Sequence, residues 1–400
     1  MYLYLGINLL GLLVFIGIAT AFSKKRKEIS WKTVGVLALF NLFLAWFLTS
    51  FFVGRNIVLF LAAGFQWVVD VSYTGIAFAF PDWVHVEHMN FFTGALLPIL
   101  MIVPLFDILS YIGVMPFIIR WAGKLLSKIT GVPHFESFFA IEMMFLGNAE
   151  AIAVSKFQLR AMNAQRNLTV AMMTMSCVTA AVVGVYAKIM PAEFVLTAVT
   201  LNVVNALIVT TLLNPVKVSE EEDNLSITGH KREREPFFSF LGNSIISSGR
   251  LILIIVAMVI AFVALVALID QLLALINPAV SLEKMLGFVM FPFAWLLGLD
   301  FGEAFQLAEY MGMKIVTNEF VVMGQAGPIM DTFSRHMQAV LTVFVTSFAN
   351  FASVGVILSA FKGLIDEDRI YLIPKNVGYM MLSGILVSLL SAAFAGLFIW

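Results

Sequence analysis

The feature that most constrains this 400-residue chain is a series of uninterrupted apolar stretches long enough to cross a bilayer, at about 2–21, 33–53, 93–113, 168–189, 194–213, 246–276, 337–360 and 376–399. A helix needs about 20 apolar residues to span the hydrocarbon and a barrel strand only about 10, and nothing else satisfies its own backbone polar groups there. The expected fold class is an all-α polytopic membrane protein with eight transmembrane helices. With 61% hydrophobic and 12% charged residues, no water-soluble surface could be assembled. A net charge of -1 offers no basic face to phosphates, so nucleic acid is excluded as a partner. The single cysteine, Cys177, permits no internal disulfide. Residues 1–21 lack a basic leader and precede Lys24-Lys25-Arg26-Lys27, so they are expected to remain as a first span.

Two further apolar regions, 134–163 and 303–332, are interrupted by Gly147-Asn148-Ala149-Glu150 and by Thr317-Asn318-Glu319. Each reads as a helix, a polar tip and a second helix, that is, a re-entrant hairpin. Placing 18 of the 24 Lys and Arg in the loops after spans one, three, five and seven and at the base of the first hairpin follows the positive-inside rule and leaves both termini outside. The first hairpin then enters from the cytoplasm and the second from outside. Hairpin, span, span over 134–213 recurs inverted over 303–400, and inverted repeats with broken helices mark transporters. The expected division is 1–133 as scaffold helices with interfacial segments, 134–213 as the first repeat, 214–302 as loop, long span and linker, and 303–400 as the second repeat. Residues 54–92, with Trp67, Asp70, Trp83, His85 and His88, are expected to lie in the interface, and 117–130 to form an amphipathic surface helix.

Carboxylates at membrane depth are functional suspects, because a bare charge there costs about 2.5–3.5 kcal/mol on insertion scales. Glu150 and Glu319 each sit at a hairpin tip beside an Asn. The alternative role for either is to cap backbone amides at its own tip. Asn350 and Ser353, three residues apart, would share a helix face with Phe348 nearby; bridging helices is their default reading. His85 and His88 have no third metal ligand, Asp107 and Glu142 could belong to a proton path or to helix packing, and Glu303, Glu309 and Lys314 could form an ion-pair cluster. No P-loop, dinucleotide fingerprint or His-Glu-x-x-His is present in the sequence.

Four runs carry a family resemblance: Gly147 to Ala151, Gly287 to Gly298, Asn318 to Met323, and Ser347 to Gly355. In order and spacing they resemble the concentrative nucleoside transporters, bacterial branch. The resemblance implies a homotrimer in a bacterial inner membrane, with a fixed scaffold, a moving transport domain and elevator-type alternating access. It also implies that Asn148, Ala149 and Glu150 face the base, that Val182 and Phe348 pack on it, and that Glu319, Asn350 and Ser353 bind the ribose. Sodium-coupled members carry oxygen ligands where this chain has Met143, Cys177 and Ala181. A hard cation is poorly served by a thioether, a thiol and a methyl group. Proton coupling is therefore expected, with Glu150 and then Glu319 as carriers, and with no metal and no cofactor. Asn148 and Ala149 replace larger or hydroxylated residues, which leans the reading toward purine nucleosides. The rivals are sodium coupling and, from another class, a membrane enzyme using Glu150 and Glu319 as acid and base.

Overall fold

The computed structural model describes residues 2–86, 89–223, 235–278 and 280–400, with backbone only at 148, 149, 180, 181, 220 and 221. Among these residues every regular element is helical. The first are α1 (Tyr2–Ala21), α2 (Trp31–Thr49), α3 (Phe52–Ala79), the single-turn α4 (Pro81–Val84) and α5 (Ile99–Tyr111). Next come α6 (Val114–Thr130), α7 (His134–Phe145), α8 (Asn148–Val154), α9 (Lys156–Ala161), α10 (Ala164–Thr174), α11 (Ala180–Ile189), α12 (Ala192–Leu213) and the short α13 (Glu220–Asp223). The remainder are α14 (Phe237–Ala274), α15 (Leu282–Trp295), α16 (Phe301–Val316), α17 (Glu319–Ala326), α18 (Arg335–Val345), α19 (Phe351–Leu364), α20 (Glu367–Ile370), α21 (Leu372–Lys375) and α22 (Val377–Gly396).

Among the described residues, seven helical stretches are long and apolar enough to cross a membrane: α1, α2, α3, 92–111, α12, α14 and α22. Two expected spans are corrected. The stretch 168–189 is two helices, α10 and α11, and 337–360 is α18 and α19. The breaks arise where hydroxyls and amides compete with the helical ladder. Ser176 Oγ turns back to the Met173 carbonyl at 2.9 Å, and Asn350 Oδ1 caps α19 by accepting from the Ser353 amide at 2.8 Å.

The region 54–92, expected to lie in the interface, is largely the 28-residue helix α3, which its length and composition allow to cross. Asp70 does not interrupt it, because Gln66 Nε2 donates to its carboxylate at 2.7 Å and Lys188 stands 4.0 Å away. The expected span 246–276 also begins earlier, at Phe237, where Asn243 Nδ2 donates to Glu235 at 2.8 Å just before the helix. At 38 residues α14 is about 57 Å long, well beyond a hydrocarbon thickness of about 30 Å. The expected amphipathic helix at 117–130 is present as α6.

Hydrogen bonds order the two ends of the bundle. At the basic end, the Lys24 amide donates to the Leu213 carbonyl at 2.9 Å, the His134 amide to Asp223 at 2.9 Å, and Arg160 Nε to the Leu364 carbonyl at 2.9 Å. Buried Arg166 grips Glu136 with Nε and Nη2 at 2.6 and 2.8 Å, locking α10 to α7 at this end. At the opposite end Asn8 Nδ2 donates to the Ala393 carbonyl at 3.2 Å, Arg335 pairs with Glu193, and the Ser334 amide donates to Glu303 at 3.3 Å.

The pair α7 and α8–α9 thus starts and finishes at the basic end, while the pair α16 and α17 has its base at the other. The broken helix α10–α11 and the broken helix α18–α19 both run from one end to the other, in opposite directions. With 11 residues in α10 and 11 in α18, each break falls about 17 Å along, near half a membrane's depth. The two repeats are therefore inverted, and all four interruptions start a helix, α8, α11, α17 or α19, at similar depth.

Gly384 of α22 is where the breaks meet. A methyl group there would lie 2.8 Å from Ala349 Cβ and 3.1 Å from both Met175 Cβ and the Met175 carbonyl oxygen. We expect Gly384→Ala to lower the melting temperature of the detergent-solubilised protein, whereas Gly35→Ala, with nothing within 4 Å, leaves it unchanged or slightly raised. Equal melting of the two variants would contradict this packing.

Candidate functional site

The polar tip between α16 and α17 is built by capping. Asn318 Oδ1 accepts from the Val321 amide at 3.1 Å, which starts α17 and places Glu319 as its first residue. Glu319 is only 3% exposed. Its Oε1 accepts from the Tyr186 hydroxyl at 2.9 Å and its Oε2 from Asn350 Nδ2 at 2.9 Å. Tyr186 belongs to α11 of the first repeat and Asn350 caps α19 of the second. One carboxylate therefore ties a hairpin tip to both broken helices. Two helix N-termini meet at it, those of α17 and α19, each directing partial positive charge inward.

Asn350 and Ser353 do not share the face of a continuous helix, as the spacing had implied. Asn350 lies in the break with extended backbone, and its side chain bonds the Ser353 amide and Glu319 at once. Phe348 in the same break is half-buried. Val182 is 2% exposed and one helical turn before Tyr186, so the two project from one side of α11.

The first tip is built differently. Glu150, third residue of α8, folds its carboxylate back over Gly147 and its own amide, which is the capping role weighed above. It is exposed, and the charge of Asp107 on α5 acts on it. Asp107 itself accepts from Ser244 of α14. Glu150 and Glu319 thus have separate surroundings, joined through α19, against which α8 packs. The side chains of Asn148, Ala149 and Ala181 lie outside the described residues. Met143 and Cys177 are buried at 0% and 1%. Glu142 is buried and accepts from Ser155 at 2.9 Å inside the hairpin, a packing contact.

The expected cluster of Glu303, Glu309 and Lys314 is corrected. Glu303 accepts from the Ser334 amide at the surface, while Lys314 is fully buried and donates to the Phe344 carbonyl at 2.6 Å, Ser347 and Ser388. The reason is axial distance: 303 and 314 lie eleven residues, about 16 Å, apart along a helix whose C-terminal half is enclosed. Tyr186 was missed altogether, since a tyrosine in an apolar run carries no spacing signal. His85 is exposed and His88 lies outside the described residues; no metal-holding cluster occurs among the described residues. A cavity of about 200 Å³, partly open to solvent, lies at the basic end among Glu28, Thr33, Glu136, Thr210 and Asn214, away from the breaks.

A carboxylate offers about four lone-pair directions. Tyr186 and Asn350 use two and the residue's own amide a third, so Glu319 keeps capacity for a further hydroxyl. Asn350→Ala removes a charged hydrogen bond and a helix cap together, worth about 2–4 kcal/mol, and Tyr186→Phe removes one hydrogen bond, about 1.5–3 kcal/mol. Both should melt lower in detergent. Melting unchanged in both would mean Glu319 is not held as described.

Residues 194–396 match the family described as Na+ dependent nucleoside transporter C-terminus, and residues 10–83 match its N-terminus counterpart. The purine nucleoside transport protein NupG of Bacillus subtilis (strain 168) is 40% identical over 398 residues, covering 100% of both chains. The putative nucleoside permease NupX of Escherichia coli (strain K12) is 28% identical over 411 residues, covering 98% of each. Among solved structures, CNTnw in an inward-facing substrate-bound state superposes with a TM-score of 0.91 at 24% identity, covering 100% of this chain and 98% of that one. An outward-facing variant of CNTnw superposes with a TM-score of 0.93 at 23% identity, covering 100% and 99%. These structures share the fold.

Proposed function

This chain belongs to the concentrative nucleoside transporter family, and from that membership we propose that it imports nucleosides across a bacterial inner membrane by symport with protons. It is a nucleoside transporter and not an enzyme. The observation that carries the specific reading is Glu319, buried at the meeting of a hairpin tip and two broken helices with acceptor capacity to spare. A ribose presents vicinal hydroxyls, and an ionised carboxylate accepts one in a charge-assisted bond. An analogue lacking that one leaves a buried acceptor unpaired, which is the basis of its rejection. Asn350 holds this acceptor, and Ser353, whose amide donates to Asn350, is assigned to the ribose with it. Val182 and Phe348 are assigned as apolar walls for the base, and Asn148, Ala149 and Glu150 as the residues that face it.

The pairs α7 with α8–α9 and α16 with α17 act as re-entrant hairpins, since each arm is too short to cross. Residues 134–213 and 303–400 form the transport domain, which moves elevator-fashion against a scaffold of 1–133 and 214–302, in a homotrimer with both termini outside. Proton coupling is supported by buried Met143 and Cys177, neither of which offers an oxygen to sodium. Glu150 is the favoured carrier because it is exposed, whereas Glu319 already holds two protein donors. A purine preference is supported by the 40% identity to a purine nucleoside transport protein.

The test is radiolabelled uptake into proteoliposomes. An imposed proton gradient should drive accumulation, a protonophore should abolish it, and replacement of sodium should leave it unchanged; the reverse pattern refutes proton coupling. Inosine and guanosine should outcompete uridine. Glu319→Gln should abolish uptake without loss of folded protein, and near-normal uptake would refute its role.

A further inference from the structure

A buried cation stands beside the site and no carboxylate touches it. Lys314 is 0% exposed, and among the described residues its ammonium makes no ion pair within 4.0 Å. Oxygens surround it instead: the Phe344 carbonyl at 2.6 Å, Ser347 Oγ, and Ser388 Oγ at 3.5 Å. The two hydroxyls also bond each other at 2.7 Å.

The carbonyl is one of the orphans at the C-terminal end of α18, where the helix dipole favours a cation. Its neighbours are taken locally, Thr342 by the Thr346 amide at 3.0 Å and Val345 by the Ser347 amide at 2.7 Å. Lys314 therefore completes the second break.

From this break the chain needs three residues to reach Asn350, whose amide group holds Glu319. Glu319 lies five residues beyond Lys314 on the same hairpin. The contacts close a ring: Lys314 to Ser347, along the break to Asn350, across to Glu319, and back through the tip. The lysine and the carboxylate sit at adjacent corners of the ring, joined by the tip. In the first repeat the matching position, two residues before the end of α7, is buried Met143, so this cation belongs to one repeat only.

We propose that Lys314 is a positioning residue for nucleoside recognition: its ammonium fixes the second break so that Asn350 aims Glu319 at the ribose hydroxyls. The proposal rests on the assignment of Glu319 as the ribose acceptor. Lys314 itself touches no substrate. Lys314→Met keeps most of the side-chain volume and removes the charge and its donors.

The readout is the ratio of kcat/KM for a ribonucleoside to that for its 3′-deoxy counterpart in proteoliposomes, for wild type, Lys314→Met, Ser347→Ala and Ser388→Ala. We expect Lys314→Met to raise KM for the ribonucleoside at least tenfold and to bring the ratio close to one. Ser347→Ala should lower the ratio several-fold, and Ser388→Ala less, in keeping with its longer contact. A role confined to stability would lower transport of both substrates equally and keep the ratio. A wild-type ratio in Lys314→Met overturns the proposal; if that variant does not fold, a wild-type ratio in Ser347→Ala overturns it. If wild type itself fails to discriminate, the ribose assignment of Glu319 fails instead.

Discussion

One buried carboxylate holds the two halves of this transporter together. Glu319 comes from the tip of a hairpin in the second repeat and takes one hydrogen bond from Tyr186 in the first and one from Asn350 in the second. In surroundings that exclude water such an anion is tolerated only when donors converge on it. Those donors are available because helices have been interrupted at matching depth. An unbroken helix uses its backbone amides internally, whereas a helix that begins in mid-membrane exposes several. The polar breaks and the buried carboxylate therefore require each other.

The rest of the architecture supports that meeting point. Gly384 lets α22 approach both breaks closely, and Asn202 of α12 donates to the Thr346 carbonyl at 2.6 Å. At the basic end the Arg166–Glu136 pair fixes the base of the first hairpin to α10. The internal two-fold relation is approximate. Glu319 is enclosed and held from two sides, while Glu150 is exposed and rests over its own helix start. A buried methionine in one repeat is answered by a buried lysine in the other.

Both hairpin tips were legible in the sequence, because Gly-Asn-Ala-Glu and Thr-Asn-Glu are polar islands in apolar runs and Asn is a strong helix cap. The amphipathic α6 was legible from Arg120, Lys124 and Lys128 at fourfold spacing. The breaks at 175–179 and 346–350 were not, because Met175, Cys177, Val178 and Phe348 keep hydropathy high while Ser and Thr satisfy nearby carbonyls. Helix α3 was obscured by Asp70, whose charge is met by Gln66 and Lys188 only in three dimensions. Lys314 was misread as part of a local ion-pair cluster because its partners lie 30 to 74 residues further along the chain. Tyr186 reaches Glu319 across 133 residues, beyond any local pattern.

The most direct measurement is an experimental structure of the protein with a purine nucleoside bound. The expected result is a ribose with a hydroxyl about 2.5–3.0 Å from the Glu319 carboxylate, with Tyr186 and Asn350 still flanking it. A nucleoside seated in the cavity beside Thr210 and Asn214, or anywhere that leaves Glu319 bonded to protein alone, would contradict the central claim.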